Sequence, residues 1–237
     1  MEKFEKNIPS EEEMRELKKT RYFSHFATTH LAEMRILKKG GVLGKENRDW
    51  RNISEHCLVE AVGADILAEY MGADRKNIVS AALLHDWYKR NEIEAMKKLG
   101  GAKGHRDAAE KEIAVLQKMG IPENIIHLMH ANIPQRADIE YLEKRTREEK
   151  IMHFIDLITL NAKFVDIKER IRDASKKKSV VEFCDSYRPR YNGKSLLEVQ
   201  DIAGSLEQKE FEKILHLEPG TLIERIRHTL NNRIDAY

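Results

Sequence analysis

Ala81-Ala82-Leu83-Leu84-His85-Asp86-Trp87-Tyr88-Lys89 sets an imidazole and a carboxylate side by side at the end of an apolar run. Ile78, Ala81 and Ala82 recur at helical spacing before the pair. Both side chains present a lone pair near neutral pH, and such nitrogen and oxygen donors suit borderline or hard divalent ions. A buried carboxylate is costly unless it is paired or bound to a metal. A greasy helix carrying His-Asp therefore predicts a cation beside it.

A lone His-Asp dipeptide carries little weight. Its company carries more: His56 lies upstream, and His105, His130 and Asp156 lie downstream, each in a segment with helical apolar spacing. The intervals, roughly 20 to 30 residues, are those of successive antiparallel helices joined by short loops.

Helical patterning extends almost everywhere. Glu11 to Lys39 reads as one long or broken helix, ended by Gly40-Gly41 and followed by a polar loop from Gly44 to Asn52. Ser54 is a candidate cap for the helix that carries His56 and stops near Gly72, and Asp74 caps the helix bearing His85. Lys89 then falls one turn after His85 on that same helix. Gly100, Gly101 and Gly104 mark a loop that delivers His105 at a helix start, and Pro122 opens the short helix of His130. Asn132 to Tyr141 reads as irregular. Thr146-x-x-Glu149 forms a capping box for a long helix running through Asp156 to Ile167, and Ser205-x-x-Gln208 suggests a second box, with a cap at Thr221. No alternating strand pattern competes, so the expected fold class is all-α.

The order His, His-Asp, His, His, Asp resembles the HD-domain superfamily of metal-dependent phosphohydrolases. Asn52-Ile53-Ser54-Glu55-His56 is similar to the start of the first ligand helix in nucleotidase-like members, and His85-Asp86-Trp87-Tyr88-Lys89 to a His-Asp-x-x-Lys variant. The likeness covers about residues 50–165, so residues 1–237 are expected to form a single HD-type helical bundle with flanking helices over 1–49 and 166–237.

The resemblance implies His56, His85, Asp86 and Asp156 as ligands of a first ion, with Asp86 bridging to a second held by His105 and His130. One or two divalent transition metals (Mn, Fe, Co, Ni or Zn) are expected, and the implied nucleophile is metal-bound hydroxide. Two ions about 3.5 to 4 Å apart clamp a phosphoryl group during in-line displacement. Lys89 would set an ammonium near the phosphate oxygens. In nucleotidase-like relatives an arginine before the first ligand helix meets substrate, which makes Arg48 or Arg51 the counterpart; Arg51 is carried as the substrate contact beside Lys89. The expected substrate is a phosphate ester of a nucleotide or related small metabolite. Two other activities share this ligand order: a mixed-valent di-iron oxygenase, and a non-catalytic nucleotide-sensing protein. His127 and His153, three residues before His130 and Asp156, are expected beside the centre or at the surface rather than in it.

Composition limits the partners. A formal charge of +2, with 35% charged residues, supplies no global field for nucleic acid or an acidic membrane. Only two cysteines occur, and no uncharged run approaches membrane-spanning length, so a reduced, cytoplasmic protein is expected. The apolar stripe of the first helix offers a homodimer face.

Overall fold

The computed structural model describes residues 10–43, 50–131 and 144–237. Arg48, the stretch expected to be irregular from Asn132 to Tyr141, and the side chain of Arg51 lie outside what is described. The described chain is all-α apart from one two-stranded hairpin. Among the described residues, no helix is long and apolar enough to cross a membrane.

The stretch expected as one long or broken helix is broken, into α1 (Glu11–Thr29) and α2 (Leu31–Lys39), at His30, whose φ of −124° and ψ of 45° leave the helical region. The centre of the molecule is α3 (Arg51–Met71) packed extensively on α4 (Arg75–Leu84). α3 starts at Arg51, so Ser54 lies inside it rather than at its cap. It ends at Gly72, whose φ of 60° places the residue in the left-handed conformation that glycine tolerates. Asp74 caps α4, accepting from the Asn77 amide at 3.2 Å. Every residue from Ile78 to Leu84 is buried, so α4 carries His85 out of the core itself.

Residues 85–88 form a turn, and Lys89 opens a separate helix, α5 (Lys89–Leu99). His85 and Lys89 are therefore not on one helix. α6 (Gly101–Lys118) folds back on α5 and carries His105 one turn inside its start, not at it. Gly104 makes that hairpin tight, because a Cβ there would overlap the Ala95 carbonyl. α7 (Glu123–Met129) follows Pro122 and places His130 at its C-terminal cap.

The Thr146–Glu149 capping box opens α8 (Arg147–Ile158), with amide-to-side-chain bonds of 3.2 and 2.9 Å. The long helix expected through Ile167 stops at Ile158. There the chain turns into β1 (Thr159–Leu160) and antiparallel β2 (Lys163–Phe164), with Asn161 at a φ of 53° in the connecting turn. α9 (Ile167–Ser175) and α10 (Lys178–Asp185) follow, then α11 (Leu196–Ile214) and α12 (Leu222–Asp235). The capping box of α11 is Ser195 with Glu198; Ser205 and Gln208 lie in its interior. Thr221 precedes α12 without capping it, and Glu212 Oε1 instead accepts from the Gly220 and Leu222 amides at 2.9 and 3.2 Å. The main apolar cluster runs from Leu37 on α2 to Ile226 on α12, and a smaller one gathers Cys184, Tyr187 and Leu196 between α10 and α11.

Candidate metal centre

α3, α4 and α8 bring His56, Glu60, His85 and Asp156 together, each offering one ligand atom within 4.8 Å of the others. His56 Nε2 stands 3.3 Å from Glu60 Oε2 and 3.4 Å from Asp156 Oδ1. His85 Nε2 stands 3.2 Å from Glu60 Oε2 and 4.0 Å from Asp156 Oδ1. Four ligands about 2.1 Å from a tetrahedral ion sit about 3.4 Å from one another. The four histidine–carboxylate spacings, 3.2 to 4.0 Å, bracket that value, so each histidine stands from both carboxylates at about the separation of two ligands on one ion.

Proton placement points the same way. His85 Nδ1 lies 2.8 Å from the Ala82 carbonyl, a contact that needs the proton on Nδ1 and turns the Nε2 lone pair inward. Among the described residues, neither oxygen of Glu60 has a hydrogen-bond donor, nor has His85 Nε2 a hydrogen-bond partner, although all three atoms are buried. Buried acceptors without donors are strongly disfavoured. A cation satisfies all three at once.

The electrostatics reflect the crowding. Burial, then the negative charges of Asp156 and Asp86, push the Glu60 carboxyl well above the ordinary carboxylate range, with Arg170 on α9 opposing them. Burial would also raise Asp156, but the His56 hydrogen bond and the charges of His85, His56 and Arg170 hold it far below that range. Asp86 is likewise lowered: burial raises it, and Lys89, His85 and His56 more than compensate.

Not every residue expected at the centre joins this group. Asp86 Oδ2 lies 3.7 Å from His85 Nε2, while its Oδ1 pairs with Lys89 Nζ at 3.4 Å. Lys89 also reaches Glu92 at 3.3 Å, and Asp86 foremost, then Glu92, raise its pKa. His130 Nε2 stands 3.3 Å from Glu112 Oε2, and His105 packs its ring 5.4 Å from that of Phe183. Burial lowers the His105 pKa. Asp86, Lys89, His105 and His130 nonetheless line one cavity of about 160 Å3 with His85 and Asp156. A larger cavity, about 340 Å3, lies between α1 and α3 near Asp65, Arg75 and Arg233. Its charges are closed on one another, since both arginines pair with Asp65 at 2.7 Å.

His127 and His153 stand outside the four-residue group. His127 pairs with Glu149 at 2.8 Å, and His153 Nδ1 with the buried Glu207 at 2.6 Å.

Glu60 is the residue that the sequence reading missed. It follows His56 by four residues, so both project from one face of α3. Its signal was visible: a lone acid among Val59, Ala61 and Val62 in an otherwise buried run. Glu112 and Gln200, which also line the smaller cavity, left no comparable mark.

No family model matches this chain, and neither does any curated protein or solved structure compared with it.

Proposed function

We propose that this protein is a divalent-metal-dependent phosphohydrolase of the HD-domain type, cleaving a phosphate ester of a nucleotide or related small metabolite. The observation that carries the reading is the convergence of four donors on one point, with His85 Nε2 and both Glu60 oxygens left without hydrogen bonds among the described residues. An ion held there would act as a Lewis acid on a phosphoryl oxygen and acidify a water for attack.

The chain's own residues then divide the remaining work. His56, Glu60, His85 and Asp156 hold and orient the site. Asp86, ionised and lining the cavity, accepts a hydrogen bond from the attacking water. Lys89, fixed between Asp86 and Glu92, sets positive charge where the phosphoryl group gathers negative charge. Arg51, at the start of the ligand helix, is carried as a substrate contact.

The experiment is direct. Protein purified without chelators is assayed for bound metal, then for phosphate release from a panel of nucleotides and sugar phosphates with manganese, cobalt or nickel. Stoichiometric metal and metal-dependent release are expected. Iron-supported oxygen consumption without phosphate release would replace this reading with the oxygenase. Tight nucleotide binding without turnover would replace it with the sensor.

A further inference from the structure

The cavity beside the four-donor group also touches polar residues that the proposed hydrolysis leaves unused. Glu112, on α6, is 8% exposed; its Oε2 lies near His130, and its Oε1 is buried with no hydrogen-bond partner among the described residues. His105 precedes it by two helical turns on the same face, and its Nδ1 is also buried without a hydrogen-bond partner among the described residues. Between them, Ala108 and Ala109 line the cavity and keep the floor of that face low. Two unsatisfied polar atoms thus sit at the ends of a stripe about 10 Å long with alanines between them.

Gln200 faces the same cavity from α11, half-buried, with no hydrogen bond from its amide among the described residues. An amide, an imidazole and a carboxylate are together the complement of hydroxyl groups, each of which donates once and accepts as well. Alanine side chains suit the C–H face of the same skeleton. A second phosphate group would meet the carboxylates of Glu92 and Glu112 in this lining, which disfavours diphosphates and triphosphates.

Resting on the reading of the centre as a phosphohydrolase, we infer that Glu112, His105 and Gln200 form a specificity pocket for the hydroxyl-bearing carbon skeleton of a phosphate monoester, such as a sugar or polyol monophosphate. Glu112 Oε1 accepts from one hydroxyl, and the Gln200 amide holds another. These are positioning contacts to substrate and take no part in the bond that breaks.

The test compares ribose 5-phosphate with 1-pentyl phosphate, a chain of equal carbon count without hydroxyls, in the manganese-loaded protein. Wild type is expected to favour the sugar ester by at least about tenfold in kcat/KM, the usual scale for a hydrogen bond to a buried partner. Glu112→Leu and, separately, Gln200→Leu should reduce that preference to about threefold or less, mainly by raising KM for ribose 5-phosphate. Two variants on different helices keep the test alive if one fails to fold.

Equal use of both esters by the wild type, or a preference retained in both variants, would overturn the pocket and leave the hydrolytic centre intact. If neither ester is cleaved although metal is bound, the hydrolase reading falls, and the pocket with it. Loss of one equivalent of manganese in Glu112→Leu would make Glu112 a metal ligand and likewise overturn the inference.

Discussion

Two buried clusters of histidine and carboxylate share helix α8, and they settle their charges in different ways. In the first, Glu207 spends both oxygens, one accepting from Arg145 at 2.9 Å and the other meeting His153 Nδ1 at 2.6 Å. Arg145 also donates to the Ala131 carbonyl at 3.2 Å, and the charged side chains are about 1% exposed. In the second, His56, Glu60, His85 and Asp156 converge, and neither oxygen of the buried Glu60 has a hydrogen-bond partner among the described residues. Burying charge is therefore not what marks a site. The first cluster brings its own cation in Arg145; in the second, the unsatisfied oxygens of Glu60 point to an ion from outside.

That contrast sets the order of effects. Asp156→Ala should abolish metal binding and turnover together, measured by metal analysis and phosphate release, while the apo fold survives. A variant that keeps both would break the comparison at its second cluster. Glu207→Ala should do the reverse: it leaves Arg145 buried without its carboxylate and costs about 3–5 kcal/mol in denaturant unfolding. Refolded at low temperature, that variant should still bind metal.

Glu60→Leu separates the two clusters more finely. At an ion concentration of 100 times Kd, a bound metal stabilises the wild type by about 2.7 kcal/mol. The variant should lose most of that gain, yet be no less stable than wild type in chelator, because removing an unpaired buried carboxylate is neutral or favourable. Equal metal-induced shifts in melting temperature for both proteins would remove Glu60 from the centre. The smallest effect is expected at Gly104, where Ala would press on the Ala95 carbonyl and destabilise by about 1–3 kcal/mol. His105 is the next residue, so the same variant should disturb the sugar preference more than metal affinity.

Much of this was legible before any coordinates. Helical spacing and capping chemistry are local, so Asp74 and the Thr146–Glu149 box could be read directly, and the all-α class followed. The breaks were harder. His30, the turn at 85–88 and the hairpin after Ile158 interrupt apolar patterns that look continuous, because tertiary packing decides where such helices stop. Ser205, with Gln208 three residues on, carries the same capping signature as Ser195 with Glu198, and only the folded chain tells them apart.

At the site, His56, His85 and Asp156 were named from residue type and interval, and the structure gathers them. Glu60 was overlooked because a single acid in a helix usually faces solvent. Asp86 was assigned to the metal from its place beside His85. In the structure Asp86 lies in the turn at 85–88, with Oδ2 3.7 Å from His85 Nε2 and Oδ1 3.4 Å from Lys89 Nζ. His105 and His130 lie close enough to share the cavity, but their immediate neighbours, Phe183 and Glu112, come from elements whose placement no spacing rule supplies.

The most direct measurement is anomalous scattering from crystals grown with manganese. The account predicts an ion about 2.0–2.3 Å from His56 Nε2, Glu60 Oε2, His85 Nε2 and Asp156 Oδ1 together. An anomalous peak held by Asp86, His105 and His130 without Glu60, or no peak in the cavity at all, would contradict it.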